Sequence, residues 1–182
     1  PRRGEAVDAL DLAIIGMGKC GARELNYISD VDVVYVVAPV EPAAAGTAPS
    51  AGAERESAPL KLTENECSTI GTELVHALTR AIMGPAPEPA LWEVDANLRP
   101  EGKDGPLVRT VESYVQYYKR WAENWEFQAL LKARPIAGSA QLGARYARAI
   151  DPFVWESAAR ESFVESVQAM RARVTDNIPP HQ

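Results

Sequence analysis

Apolar and polar positions along the chain fall into short alternating runs and longer helical stripes. DLAIIG at 11 to 16 and VDVVYVV at 31 to 37 are apolar, rich in β-branched residues and bounded by glycine or acid, the pattern of buried strands. GMGKCGARELNYIS, between them, holds three glycines and then a short helical stretch. Thr63 and Glu66 have the spacing of a capping box, and Ile70, Leu74, Leu78 and Ile82 recur on one face of the helix that follows, which Met83-Gly84-Pro85 ends. LWEVDANLR at 91 to 99 alternates, with Val94, Ala96 and Leu98 on one face and Asp95, Asn97 and Arg99 on the other, and predicts a third strand with a polar side. Thr110 caps a long aromatic-rich helical run that Pro135 ends, and two further helical runs are expected over 139 to 150 and 152 to 176.

This order predicts an α/β (α+β) fold, a small mixed sheet flanked by helices and followed by a helical C-terminal part. The expected division is a core over 1–109 and a helical subdomain over 110–182. From 38 to 60 alanine, proline and glycine dominate without periodicity, which predicts a mobile insertion within the core.

At 182 residues the chain is long enough to bury a core without cross-links, and Cys20 and Cys67 form no disulfide or zinc pattern. A cytoplasmic setting follows as the default. The net charge of −6 argues against a nucleic-acid partner held by phosphate neutralisation. No apolar run spans a bilayer, so no membrane partner is expected. The chain opens on Pro1 rather than a methionine and reads as a piece of a longer protein.

Three acids carry the candidate chemistry. Asp30 and Asp32 stand at the mouth of the second apolar strand, where the two-residue period points both carboxylates to one side. Such a pair is either a solvated strand end or a divalent-cation site, because close burial of two anions without a cation is costly. Asp95, on another strand, supplies a third carboxylate, and three carboxylates suit two metal ions astride an in-line displacement at phosphorus. Gly16, Gly18 and Gly21 let backbone amides approach a phosphate, although they match neither a dinucleotide fingerprint nor a P-loop. Lys19 either reaches that phosphate or is an ordinary turn lysine. Arg99 and Lys103 either clamp an incoming phosphate or are charges of a solvated loop.

Lys132 and Arg134 are expected to complement a helix dipole. Trp121 and Trp125, with Tyr114, Tyr117 and Tyr118, offer an adenine-stacking box, but core packing is the preferred reading, with Glu126 as a structural anchor. His76 reads as a partly exposed side chain rather than a base.

GMGKCGARELNYISDVDVVYVV, VDANLRPEGKDGPLV and WAENWEFQALLKARPI, in this order, resemble the glutamine synthetase adenylyltransferase/adenylyl-removing enzymes, a likeness running from about Leu12 to Pro179. That family has two nucleotidyltransferase domains of the DNA polymerase β-like type, one attaching AMP to a tyrosine of glutamine synthetase and one removing it. GMGK with ELNY and DVD, followed by YYKRWAENWEFQALLKAR and FVESVQAMRARV, is similar to the N-terminal, adenylyl-removing half.

The resemblance implies phosphorolysis, in which orthophosphate attacks the AMP phosphorus of adenylylated glutamine synthetase and releases ADP. It also implies Mg²⁺, in two ions and replaceable by Mn²⁺, and the PII signalling protein as a partner of the full-length chain. By motif, Asp30, Asp32 and Asp95 match the metal carboxylates and Gly16, Gly18 and Gly21 the glycine turn. Cys20, Gly21 and Ala22 stand where the family has leucine and two glycines. The alternatives are the AMP-attaching half with ATP as donor, a non-catalytic module binding glutamine synthetase or PII, and a polymerase-like enzyme on nucleic acid, which the acidic balance disfavours.

Overall fold

The computed structural model describes residues 7–27, 29–40, 62–85, 92–157, 159–160 and 163–176; the Ala/Pro-rich stretch beyond Val40 lies outside them. Five strands, β1 (Leu10–Gly16), β2 (Val31–Pro39), β3 (Val94–Asp95), β4 (Val108–Arg109) and β5 (Arg134–Gly138), form one mixed sheet. Its helices are α1 (Gly18–Ala22), α2 (Glu64–Met83), α3 (Val111–Arg120), α4 (Asn124–Leu130), α5 (Ala140–Ser157) and α6 (Phe163–Asp176). β1 lies between β2 and β5, antiparallel to both, while β3 and β4 pair parallel with β2. This is the mixed α/β architecture expected from the sequence and is consistent with a nucleotidyltransferase-like fold.

Alternation along β1 and β2 divides the core into two faces. Ala13, Ile15, Val34, Val36 and Ala38 look toward α3, α4 and α5, where Tyr114, Tyr118, Phe127, Leu142, Tyr146 and Ile150 are buried. Tyr114 sits edge-on to Tyr146, with centroids 5.1 Å apart, and its hydroxyl donates to the Tyr35 carbonyl at 3.1 Å, fixing α3 to the sheet. Leu10, Val33, Tyr35 and Val37 face the other way, toward Cys67 and Val75 of α2. The Thr63–Glu66 capping box opens α2 as expected. Its buried stripe, however, is Cys67, Gly71 and Val75, with Ile82 exposed, because Gly71 allows the helix to lie close to Val37.

The sequence expectation fails at four further places. The strand expected over 91 to 99 pairs only at Val94–Asp95; Leu91 lies outside the described residues, and the Asn97 N–H bonds Asp95 Oδ1 at 2.6 Å and turns the chain. The long aromatic helix breaks after Arg120, because a second capping box between Glu123 and Glu126 starts α4. That break takes Trp121 off the helical register and leaves it 73% exposed, with Trp125 also exposed, so core packing holds for Tyr114 and Tyr118 but not for the tryptophans. β5, within the part expected to be helical, hydrogen-bonds β1. α5 continues through Pro152 rather than ending before it, since Ile150, Phe153 and Val154 pack on the core and offset the lost backbone bond.

Candidate functional site

Asp32 continues the inward row of Val34 and Val36 to the open end of β2, and Asp95 is its partner in the parallel β2–β3 register. Register partners share a sheet face, so both carboxylates stand on one side. Asp30, two residues earlier, lies exposed just before the strand. Burial raises the Asp32 carboxyl above its ordinary value; the charges of Asp95 and Asp30 add to the rise, and the Lys19 ammonium opposes it. Asp30 and Asp95, both predicted from sequence, are therefore within electrostatic reach of Asp32.

The glycine turn packs against this group. The Met17 N–H donates to the Asp32 carbonyl at 2.9 Å. Gly18 adopts φ +47°, the left-handed backbone that favours glycine, and a Cβ there would stand 2.8 Å from Asp32 Oδ2, so a side chain at this position would also displace that carboxylate. At Gly21 a Cβ would meet the Lys132 carbonyl oxygen at 1.9 Å, and its N–H is bonded to the Met17 carbonyl. Gly21 thus serves helix-to-strand packing rather than phosphate access, while Gly16 ends β1 between Val33 and Arg134. Lys19 Nζ reaches Ser29 Oγ at 3.4 Å, and Ser29 in turn bonds the Asn26 side chain. Cys20 is buried against Gly16 and its thiol is pushed up by burial, as is that of Cys67, which suits inert thiols.

Arg99 is nearly buried, and all its bonds go to backbone carbonyls: Nη1 to Ala96 at 2.8 Å, Nη2 to Lys103 at 3.1 Å and Nε to Gly105 at 3.2 Å. It is the centre about which the loop after Asp95 is wound, and those bonds would have to break for it to clamp a phosphate. Lys103 is exposed on the 3₁₀ turn Gly102–Asp104. Arg134 donates to the carbonyls of Gly21 (2.8 Å) and Cys20 (3.4 Å), so it completes the end of α1, and Lys132 pairs with Glu24 at 2.7 Å. Glu126 is buried and receives the Glu123 N–H, the anchoring role expected of it, and burial raises its carboxyl. Burial and, after it, the bond with Glu126 push the Tyr117 phenol up to about 12. His76 is exposed.

The donor chemistry fits a hard divalent cation: carboxylate oxygens on one face, like-charged to their mutual cost, with a single lysine nearby. Among the described residues no three His, Cys, Asp or Glu side chains form a ready-made metal cage. Asp95 gives one oxygen to the Asn97 N–H and Asp30 is exposed, an open arrangement of the kind Mg²⁺ takes when waters and phosphate oxygens complete its shell. Sequence reasoning passed over two supports, the Asn97 amide that orients Asp95 and the Arg134 contacts. The Asp-x-Asn spacing signals the first; nothing local signals the second.

Among the described residues no helix is long and apolar enough to cross a membrane. Residues 1–149 match the family model described as glutamate-ammonia ligase adenylyltransferase. The chain is 57% identical over 173 residues to a protein of Leifsonia xyli called bifunctional glutamine synthetase adenylyltransferase/adenylyl-removing enzyme, covering 95% of this chain and 16% of that one. A protein of the same name from Streptomyces coelicolor is 51% identical over 168 residues, covering 92% of this chain and 15% of its own length. One from Corynebacterium glutamicum is 48% identical over 168 residues, covering 92% and 13%. The chain spans about a sixth or less of these relatives and carries the acids and glycine turn described above, and on this evidence it belongs to the glutamine synthetase adenylyltransferase/adenylyl-removing family.

Proposed function

We propose that this domain removes AMP from the adenylylated tyrosine of glutamine synthetase by phosphorolysis, with Asp30, Asp32 and Asp95 holding Mg²⁺. The observation that carries the reading is the register pairing of Asp32 with Asp95, with Asp30 close enough to raise the Asp32 carboxyl further. The likeness of GMGKCGARELNYISDVDVVYVV to the adenylyl-removing half favours removal over attachment.

In this reaction an oxygen of orthophosphate forms a bond to the AMP phosphorus while the bond from that phosphorus to the tyrosine oxygen breaks. ADP and the free tyrosine leave. Orthophosphate arrives ionised, so no side chain need act as general base, and the departing phenolate, with an ordinary pKa of about 10, takes its proton from solvent. Bound Mg²⁺ supplies neutralisation of the charge that develops on the attacking and leaving oxygens. The chain's own residues set the stage. Asn97 holds Asp95 in one orientation, Gly18 admits the Asp32 carboxylate against the turn, and Lys19 offers a positive charge beside it. Lys103, free of Arg99's structural duty, is the loop cation available to phosphate.

The family description names AMP attachment, which supports the opposite direction as a second reading, with ATP as donor and the same carboxylates. In that direction Asp95 also has to accept the phenol proton. Adenylylated glutamine synthetase, phosphate and Mg²⁺ are incubated with the domain and ADP release is followed, with Asp30→Asn and an ATP-donor assay alongside. Phosphate-dependent ADP that disappears in the variant is the expected result. AMP transfer from ATP without ADP release assigns the domain to the attaching half. Contact with PII belongs, in this proposal, to the rest of the parent chain, in the cytoplasm.

A further inference from the structure

We infer that Arg134 is a positioning residue, reaching from the first position of β5 to the last carbonyls of α1 and holding the glycine turn against Asp32. The kinetic part of this inference rests on the reaction proposed above; the structural part does not.

α1 has only five residues, far below the length at which a helix holds itself in water, so its placement depends on anchors from elsewhere. At its start the Met17 N–H bonds the Asp32 carbonyl, and Gly18 lies against the Asp32 carboxylate. At its end, Lys19 O receives the Glu24 N–H and Cys20 O receives the Arg23 N–H. Gly21 O receives Arg134 Nε, and Arg134 Nη2 adds a second bond to Cys20 O. Gly21 also rests its Cα side on the Lys132 carbonyl, so the same short stretch of chain both supports the turn and ties it. A planar guanidinium can bond two neighbouring carbonyls at once, whereas an ammonium on a lysine stem cannot reproduce that fork. If Arg134 is lost, the end of α1 is freed, and Gly18 and Lys19, which face Asp32, move with it.

The test compares Arg134→Gln, Arg134→Lys and Lys132→Ala. Lys132→Ala removes only the exposed pair with Glu24 at the same end of the turn. Three quantities are read: amide exchange at Gly21, with Val34 and Val36 as core references; Mn²⁺ affinity by electron paramagnetic resonance; and kcat and KM for phosphate-dependent ADP release. Loss of a charge-assisted hydrogen bond is expected to speed Gly21 exchange in Arg134→Gln by about tenfold or more. Core exchange should stay as in the parent. Mn²⁺ binding weakens and kcat falls by a similar factor, with KM for the protein substrate unchanged. Arg134→Lys lies between the two, and Lys132→Ala behaves like the parent.

Unchanged Gly21 exchange in Arg134→Gln overturns the inference, and so does faster exchange with parental Mn²⁺ affinity. An equal loss in Lys132→Ala, or full parental behaviour in Arg134→Lys, overturns it as well. Should the glutamine variant also expose Val34 and Val36, the lysine variant carries the test, by the same intermediate loss at Gly21. A parent that releases no ADP, with Gly21 and Mn²⁺ responding as stated, sinks the proposed reaction and leaves the brace standing. An active parent with an indifferent Gly21 does the reverse.

Discussion

Asp32 and Asp95 meet as register partners, but they are brought there by differently built supports. Asp32 stands on a nine-residue strand whose middle is buried on both faces, and its turn is tied down by an arginine 113 and 114 positions away. Asp95 stands on a two-residue strand and leads into a loop wound about Arg99, whose partners lie three, four and six positions from it. In that loop Glu101 and Gly102 are consecutive left-handed residues, at φ 64° and 58°. One carboxylate is held by tertiary structure and the other mostly by local winding. A short strand can therefore hold an acid in place, provided that a buried cation supplies the order that strand pairing does not.

Substitution separates these supports, beginning with the acids. Asp32→Asn is expected to lower metal-dependent turnover by several kcal/mol of barrier, roughly a thousandfold, and Asp95→Asn by roughly a hundredfold, since Asp95 already spends one oxygen on Asn97. Steady-state rates with saturating Mg²⁺ check both, and an Asp95→Asn variant keeping most of its rate removes that residue from the site. The Asp32 carboxyl is raised, so in the folded state its ionisation is penalised. That penalty is absent below the ordinary carboxylate range and is fully present once pH has risen through the raised folded value. Without divalent ions at neutral pH, Asp32→Asn is therefore expected to resist urea better than the parent, with the difference vanishing as pH falls below that range. Mg²⁺ should stabilise the parent and not this variant.

Smaller effects distinguish the two scaffolds. Gly21→Ala drives a methyl into the Lys132 carbonyl and is expected to cost about 3 kcal/mol or more of stability, measured by urea unfolding. Arg99→Gln removes the charged donor at the loop centre and is expected to cost about 2 kcal/mol, with faster amide exchange confined to 96–105. Gly102→Ala, where the nearest atom to the new methyl is 3.7 Å away, costs only the left-handed backbone, about 1 kcal/mol. A Gly102→Ala variant less stable than Gly21→Ala would reverse the distinction between conformation and close approach.

These supports also mark what was legible in the sequence. Asp30, Asp32 and Asp95 stood out because an acid at the mouth of an apolar strand violates the local pattern, and β1, β2 and α2 because their periodicity is long. Arg99 was visible as a residue, but its role was not. Alternation placed it on a polar face beside Asp95, and only the turn made by Asn97 shows that the chain has left the strand and folded the guanidinium inward. β5 was hidden because Arg134, Pro135 and Gly138 follow a helix and carry little apolar signal; its strand character comes from pairing with β1. The break before α4 was hidden for a related reason: Glu123 and Glu126 suit a helix interior as readily as a capping box.

β2 pairs with β1, β3 and β4, so the partners of one strand come from positions 10–16, 94–95 and 108–109. For a folding chain this sets an order of events. The β1–β2 pair joins near neighbours, whereas bringing Asp95 to Asp32 closes a loop of 63 positions, at a chain-entropy cost of roughly 4 kcal/mol before any contact compensates it. The two carboxylates therefore stay apart until that long loop has closed, whereas β1 and β2 can pair across a short one, 17 positions between Gly16 and Val33.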